Sequence, residues 1–154
     1  MIRELEETDI DQVADIWLDT NIKAHDFIAE QYWLSNFNMV KELFLQAEIY
    51  VYEDEGKIQG FIGLNNEYIA GIFVSDKVQS QGIGKLLLDF VKDRKEKLHL
   101  NVYQKNTRAI RFYQREGFFI QCENLDENTG EKEYVMIYCK ELYWQKMKKQ
   151  SKNY

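Results

Sequence analysis

Two glycines and a lysine, spaced as Gly82-x-Gly84-Lys85, are the residues of this chain whose types and spacing most directly suggest chemistry. They follow the apolar, β-forming stretch Tyr68–Val74, at the point where helical spacing begins. A helix start carries backbone N–H groups without intrahelical acceptors and the positive end of the helix dipole. Because neither glycine has a Cβ atom, a phosphate group can approach those N–H groups closely. The stretch therefore predicts an anion cradle, with a pyrophosphate as the expected anion.

Two common phosphate-binding motifs do not fit this stretch. The dinucleotide-binding motif G-x-G-x-x-G needs a third glycine, and Leu87 stands at that position. The P-loop needs Ser or Thr after its lysine to hold magnesium, and Leu86 stands there instead. A nucleotide-phosphate binder is therefore disfavoured, and on this stretch alone an ordinary strand-to-helix turn remains the plain alternative.

A second stretch, from Asn106 to Phe118, has the spacing of a short capped helix. Asn106 is a good N-cap and Gly117 a good residue for the position after the helix end. Asn106 and Tyr113 are seven residues apart, about two turns at ~3.6 residues per turn, so they share one helix face. A phenol such as Tyr113 has a movable proton and a high reference pKa, which suits a general acid. The alternative is a core tyrosine on an amphipathic helix.

The hydrophobic periodicity places these two stretches in an alternating pattern of strands and helices. Thr8 is the expected N-cap of the first helix. The order β-α-α-β-β-β-α-β-α-β-β predicts an α/β protein with a mixed sheet. The predicted elements are a strand at 2–5, helices at 9–22 and about 32–44, strands at 48–52, 57–64 and 68–74, a helix from 82, a strand at 98–103, a helix after 106, and strands at 118–123 and 134–140.

The two stretches, in this order, resemble two motifs of the GNAT superfamily, the acetyl-CoA-dependent N-acetyltransferases, and look closest to its bacterial YiaC/YjaB-like subgroup. Motif A is matched by Gln79-x-x-Gly82-x-Gly84, and motif B by Asn106-x-x-Ala109-x-x-Phe112-Tyr113-x-x-x-Gly117-Phe118. The resemblance implies a single-domain GNAT-like fold over residues 1–140. Its sheet would be mixed, mostly antiparallel and of about seven strands flanked by helices. Residues 141–154 would form a basic C-terminal helix or tail.

The resemblance also implies a binding site for acetyl-CoA and roles for particular residues. The backbone of the motif A strand would pair with the pantetheine arm, and the following loop would hold the pyrophosphate. Val74 would supply the oxyanion donor, and Tyr113 would protonate the departing thiolate. Gln79 takes the place of the family's frequent arginine, a change expected to weaken phosphate binding modestly. The implied cofactor-binding residues are Ile72, Phe73, Val74, Gln79, Ser80, Gln81, Gly82, Ile83, Gly84, Lys85, Asn106 and Tyr113.

The general base stays open at this stage. Glu67 precedes the motif A strand, where many family members keep a catalytic acid, but it is equally a solvated acid in a turn. The region between the first two helices borders the acceptor site in this family, and its candidate substrate-binding residues are His25, Asp26, Phe27 and Tyr32. His25 is the alternative base because histidine titrates near neutral pH. A water chain would leave no trace in the sequence, and His99 is expected to be structural.

Composition limits the class of protein. The chain has 154 residues, of which 45% are hydrophobic, enough for one packed domain and without an apolar run of the ~20 residues that cross a membrane. From Lys140 onward there are five lysines and one acid, so this end carries +4 and the rest of the chain −10. An acidic body argues against nucleic acid and membrane partners. The two cysteines have no metal-ligand spacing and are expected to be reduced core thiols of a cytoplasmic protein without a metal.

The expected function is therefore transfer of an acetyl group from acetyl-CoA to a primary amine by direct attack. The acceptor is a small-molecule amine or the lysine side chain of a protein, which the sequence does not decide. The alternative from another class is a CoA-binding sensor or interaction module without turnover. A homodimer is also an open expectation, because exposed final strands often pair in this family.

Overall fold

A computed structural model describes the backbone of residues 1–152 and the side chains of residues 1–149. This part of the chain contains two compact units, one ending at Phe90 and one starting at Val91. No described helix is both long enough and apolar enough to cross a bilayer. The proposed division into residues 1–140 and 141–154 stays a prediction.

The first unit combines four antiparallel strands, in the order β1-β2-β3-β4, with helices. Short 3₁₀ turns at Glu7–Asp9 and Asp76–Val78 precede α1 and α3 respectively. The element bounds are β1 Ile2–Glu4, α1 Ile10–Ala24, α2 Glu30–Phe44, β2 Glu48–Asp54, β3 Lys57–Asn65, β4 Tyr68–Val74 and α3 Ile83–Lys92, whose last two residues fall in the second unit.

The start of α1 differs from the sequence-based expectation. The sequence predicts Thr8 as the cap, but Asp9 holds the N-cap position and is buried. Its carboxylate accepts two hydrogen bonds from Arg3, at 2.7 and 3.0 Å, and one from the Glu6 backbone N–H at 2.8 Å. The hydrogen bonds from Arg3 hold the pKa of the Asp9 carboxyl below its usual range. The Thr8 prediction was wrong because the ion pair ties Asp9 to strand β1.

One hydrophobic core of the first unit packs α1 and α2 against the sheet. Burying a large apolar side chain contributes roughly 1.5–3 kcal/mol. An aromatic row runs through this core, with ring centroids 5.6 Å apart for Phe44 and Phe61 and 4.8 Å apart for Phe61 and Phe73. Because Phe73 belongs to β4, the row holds the motif A strand against the core. The buried members of the core are Val13, Ala14, Phe44, Ile49, Val51, Ile58 and Phe61.

The second unit has three antiparallel strands in the order β5-β7-β6 and two helices. Every second residue of β5 is buried, namely Leu98, Leu100 and Val102, as the alternating pattern predicts. The element bounds are β5 Lys97–Tyr103, α4 Thr107–Arg115, β6 Phe119–Asp126, β7 Glu131–Cys139 and α5 Lys140–Lys152.

The expectation that both cysteines of this unit lie in the core was wrong. Cys122 is not a core thiol but an exposed residue of β6, and Cys139 is half-buried, although both are free thiols. Strand β6 pairs with β7, the last strand before α5, and seven of its eight residues are exposed, so this strand offers little burial. His99 lies on the exposed face of β5, opposite Ile137.

Candidate active site

The loop after β4 is open at Gly82. Gly82 stands directly before α3, with φ of +82°, and its carbonyl accepts the hydrogen bond from the Leu86 N–H at 3.0 Å. Ser80 also has a positive φ of +67°. A Cβ atom placed on Gly82 would meet no protein atom within 4 Å. The space beside the first turn of α3 is therefore open to a ligand.

The start of α3 is electrostatically suited to an anion. The first backbone N–H groups of a helix have no intrahelical acceptor, and here they belong to residues 83–85. The first turn of α3, all of which the structure describes, contains no acidic side chain. The Lys85 ammonium lies 3.1 Å from the Asp89 carboxylate, one turn further along the helix. Gln79 donates to the Val74 carbonyl at 3.1 Å, so its side chain braces the loop against the end of β4.

Two glycines make room for Phe73 of β4: Gly71 for its ring and Gly60, on β3, for its backbone carbonyl. A Cβ atom on Gly71 would lie 2.4 Å from the ring of Phe73, and one on Gly60 would lie 2.8 Å from the Phe73 carbonyl oxygen. The register between the two strands shifts by one residue at Ala70, just before the segment implied to pair with pantetheine. Such a bulge increases local twist and redirects the following residues. That segment, Ile72–Val74, is half-buried.

The second motif forms the short helix α4 with the expected caps. The Asn106 side-chain oxygen accepts the hydrogen bond from the Ala109 N–H at 3.2 Å. At the other end, Gly117 has φ of +94°, and the Phe118 N–H donates to the Tyr113 carbonyl at 2.9 Å. The Tyr113 ring is buried, with its centroid 5.4 Å from that of Phe118. Both capping predictions are confirmed, and the turn that closes α4 is built around Tyr113.

Two residues that the sequence did not single out hold the end of α4 in place. The buried Lys92 ammonium donates to the Glu116 carbonyl, and it lies 4.6 Å from the Tyr138 ring centroid and 5.3 Å from that of Tyr143. The Tyr143 ring, in α5, covers Gly117 so closely that a Cβ there would lie 2.5 Å from it. Lys92 stands in a charged run and Tyr143 in a basic tail, so no local pattern indicated their pairing.

The residues expected to border the acceptor meet at the junction of α1 and α2. The His25 ring stacks on Trp33 at 5.3 Å between centroids, and Phe27 and Tyr32 contact these two rings edge-on. Three of the four predicted acceptor residues thus lie around one buried tryptophan, whereas Asp26 is exposed. Burial lowers the pKa of His25, so its imidazole is neutral at pH 7.

The aromatic cluster around His25 and Trp33 is tied to the loop that follows β4. Lys23, in the last turn of α1, lies 2.6 Å from the carboxylate of Asp76 in the 3₁₀ turn after β4. Asp76 is two residues beyond Val74, and Lys23 is two residues before His25. Glu67, in contrast, is exposed in the turn before β4, and seven residue steps of about 3.3 Å put it roughly 20 Å from Val74. Among the described side chains, no group of three or more His, Cys, Asp or Glu could hold a metal ion.

Comparisons with known proteins define the family. The sequence matches the acetyltransferase (GNAT) domain family over residues 46–120. It is 38% identical to the peptidyl-lysine N-acetyltransferase YiaC of Escherichia coli strain K12, over 82% of this chain and 89% of YiaC. The chain therefore belongs to the GNAT acetyltransferase family and is an N-acetyltransferase of that type.

Solved structures show the same fold. Apo-form YjaB from Escherichia coli superposes with a TM-score of 0.80 at 22% identity, covering 90% of this chain and 96% of YjaB. The PaiA N-acetyltransferase of Thermoplasma acidophilum, solved in complex with coenzyme A, gives a TM-score of 0.76 at 19% identity, covering 90% and 98%. The α/β GNAT fold and the resemblance inferred from the two motifs are thereby confirmed.

Proposed function

We propose that this enzyme acetylates lysine side chains of proteins, using acetyl-CoA as the donor. The observation that carries the proposal is the 38% identity to a peptidyl-lysine N-acetyltransferase over 89% of that protein's length. The chain's acidity adds support, because residues 1–139 carry a formal charge of −10 and attract cationic segments rich in lysine. A small-molecule amine is the rival acceptor.

In this proposal, acetyl-CoA lies along β4 with its pyrophosphate at the start of α3. The open space at Gly82 and the N–H groups of residues 83–85 support this placement. The pantetheine arm would pair with the backbone of Ile72–Val74. Asn106 uses its side-chain oxygen for the helix cap, so it would contact a pantetheine carbonyl through its amide NH₂ group. Gln79, Ser80 and Gln81 would contribute backbone groups of the loop.

The proposed reaction is direct attack of a neutral amine on the thioester carbonyl. A carbon–nitrogen bond forms, and the carbonyl oxygen becomes an oxyanion that accepts a hydrogen bond from the Val74 N–H. The carbon–sulfur bond then breaks, and the departing thiolate takes a proton from the Tyr113 hydroxyl. The amine proton passes to a base, and solvent returns a proton to Tyr113. The products are an acetylated lysine and CoA.

His25 and Glu67 are the two candidate bases. His25 is neutral at pH 7, because burial lowers its pKa, so it can accept a proton from the amine. The ion pair between Lys23 and Asp76 fixes its helix beside the loop after Val74. Glu67 would reach an amine beside Val74 only through water, since it lies roughly 20 Å along the strand. The structure therefore favours His25, with Phe27 and Tyr32 as walls of the acceptor site and Asp26 at its rim.

The acceptor class is tested by mass spectrometry of a lysine peptide incubated with the enzyme and acetyl-CoA. Matched controls are the same peptide with lysine replaced by arginine, a peptide with only a free N-terminus, and spermidine. The proposal expects one acetyl group on the lysine ε-amine and little on the controls. Acetylation of spermidine or of the N-terminus alone would move the acceptor to another amine class while keeping the enzyme class.

A further inference from the structure

We propose that a groove between α4 and α5 binds a small organic anion with an apolar body, and that this ligand acts on Tyr113 through Phe118. The α4–α5 groove has a volume of about 470 Å³. Sites for small molecules typically measure about 300–1,000 Å³, so its size suits one such ligand. The binding half of the proposal is independent of the acceptor proposed above, whereas the effect on Tyr113 rests on the proposed mechanism.

Part of the lining of the groove is apolar. Phe118 is buried at its base, while Phe119, Leu142 and Met147 border it with 40%, 49% and 44% of their surfaces exposed. Large apolar side chains that remain exposed together, rather than singly, are typical of binding sites. An aliphatic or aromatic body would cover this surface and gain the free energy of removing it from water.

The charged residues that line the groove are all cationic. Arg115, Lys146 and Lys149 border it, and none of its twelve lining residues is acidic. The chain as a whole carries a net charge of −6, so the positive charge of the groove is opposite in sign to the net charge of the protein. Three cations beside an apolar floor complement a carboxylate, sulfonate or phosphate carried on a hydrocarbon body, and they repel a cationic ligand.

The groove is preformed because α5 is fixed at its base. Tyr143 packs over Gly117, and the Lys92 ammonium lies against the rings of Tyr138 and Tyr143. These contacts hold α5 against the turn after α4 without a ligand, so little ordering is needed on binding.

A ligand in the groove would contact Phe118, and the Phe118 ring lies 5.4 Å from the ring of Tyr113, centroid to centroid. The Phe118 N–H also donates to the Tyr113 carbonyl at 2.9 Å. Any displacement of Phe118 therefore moves the proposed general acid. Binding at the groove would change the rate of thiol release without the ligand touching the acetyl group.

Octanoate titrated into the ¹⁵N-labelled full chain tests the binding site by NMR. The proposal expects shifts centred on residues 114–119 and 142–149, together with a shift of the Tyr113 amide. Two control probes should cause neither the groove shifts nor the Tyr113 shift. Acetate lacks the apolar body, and octyltrimethylammonium carries the opposite charge. Shifts that are spread over the whole chain, or that are equal for the cationic probe, would overturn the site.

A charge variant provides the matched control. Lys146→Gln with Lys149→Gln should weaken octanoate binding about three- to tenfold, since each exposed charge contributes modestly. Lys57→Gln, at an exposed lysine that begins β3 in the first unit, should leave the affinity for octanoate unchanged. Equal affinity in both variants would contradict the role of the cations. Octanoate bound at the groove with no change in the Tyr113 amide or in thiol release would overturn the proposed action on Tyr113.

Discussion

Replacing Gly82 by alanine should lower the affinity for acetyl-CoA more than it lowers the stability of the fold. Gly82 has φ of +82°, and a Cβ atom there would meet no protein atom within 4 Å. The only cost to folding is then the left-handed backbone conformation, about 1–2 kcal/mol for a residue with a Cβ. For a chain of this size that corresponds to a fall in Tm of roughly 2–4 °C per kcal/mol.

The effect of Gly82→Ala on acetyl-CoA binding should be larger than its effect on folding. The new methyl group would occupy the space that the pyrophosphate needs beside the first turn of α3. Losing one hydrogen bond to a charged group costs about 1.5–3 kcal/mol, so the Kd should rise roughly ten- to a hundredfold. Isothermal titration calorimetry measures the Kd, and acetyl-pantetheine, which lacks the pyrophosphate, should bind both proteins equally.

Gly130→Ala is the matched control for this experiment. Gly130 has φ of +76°, and a Cβ atom added to it would also meet nothing within 4 Å, but it lies in the turn between β6 and β7. Both variants should lose similar stability, and only Gly82→Ala should lose affinity for acetyl-CoA. Equal acetyl-CoA affinity in the two variants would refute the placement of the pyrophosphate.

Three further predictions concern the end of α4 and the aromatic cluster around His25 and Trp33. Lys92→Met removes the hydrogen bond to the carbonyl of Glu116, the C-cap residue of α4, and the contact with the Tyr143 ring. Urea unfolding should therefore show a loss of about 1–3 kcal/mol in the free energy of unfolding, and an unchanged midpoint would contradict this prediction. Gly117→Ala should lower the Tm more than Gly130→Ala, because its Cβ would collide with Tyr143, and adding Tyr143→Ala should recover the difference. Because the folded pKa of His25 is lowered below the ordinary value of 6.5, protonation favours the unfolded chain, and stability should fall as the pH drops below about 6.5. His25→Gln should flatten that part of the stability profile, and a profile identical to that of the wild type would disprove the assignment.

Local patterns predicted the elements that carry the two motifs. The bounds of β4 agree with the sequence-based prediction because a turn precedes the strand and the glycine loop follows it. Asn106 and Gly117 were predicted as caps because a cap depends on the residue itself and on its neighbours within one turn. The cluster around His25 was predicted as a region, although not the stacking of its rings on Trp33.

Contacts between residues distant in the sequence could not be predicted. Asp9 replaces Thr8 at the start of α1 because Arg3, on a strand, binds its carboxylate. The Lys92 ammonium contacts the ring of Tyr143, which lies 51 residues later in the sequence. Neither residue type indicates that the two would form a buried pair. The exposure of Cys122 depends on the position of β6 beside β7, which a strand's own residues do not determine. Each of these features depends on the arrangement of the folded chain, which the local sequence does not determine.

The proposed mechanism is tested most sharply by thiol release from acetyl-CoA in the wild type and in Tyr113→Phe, with a lysine peptide as acceptor. Phenylalanine keeps the ring that packs on Phe118 and removes only the hydroxyl group. We predict unchanged acetyl-CoA affinity and a kcat lower by about 10²–10⁴-fold, the usual contribution of a general acid. Equal kcat values in the two proteins would contradict the mechanism and leave the solvent as the proton donor.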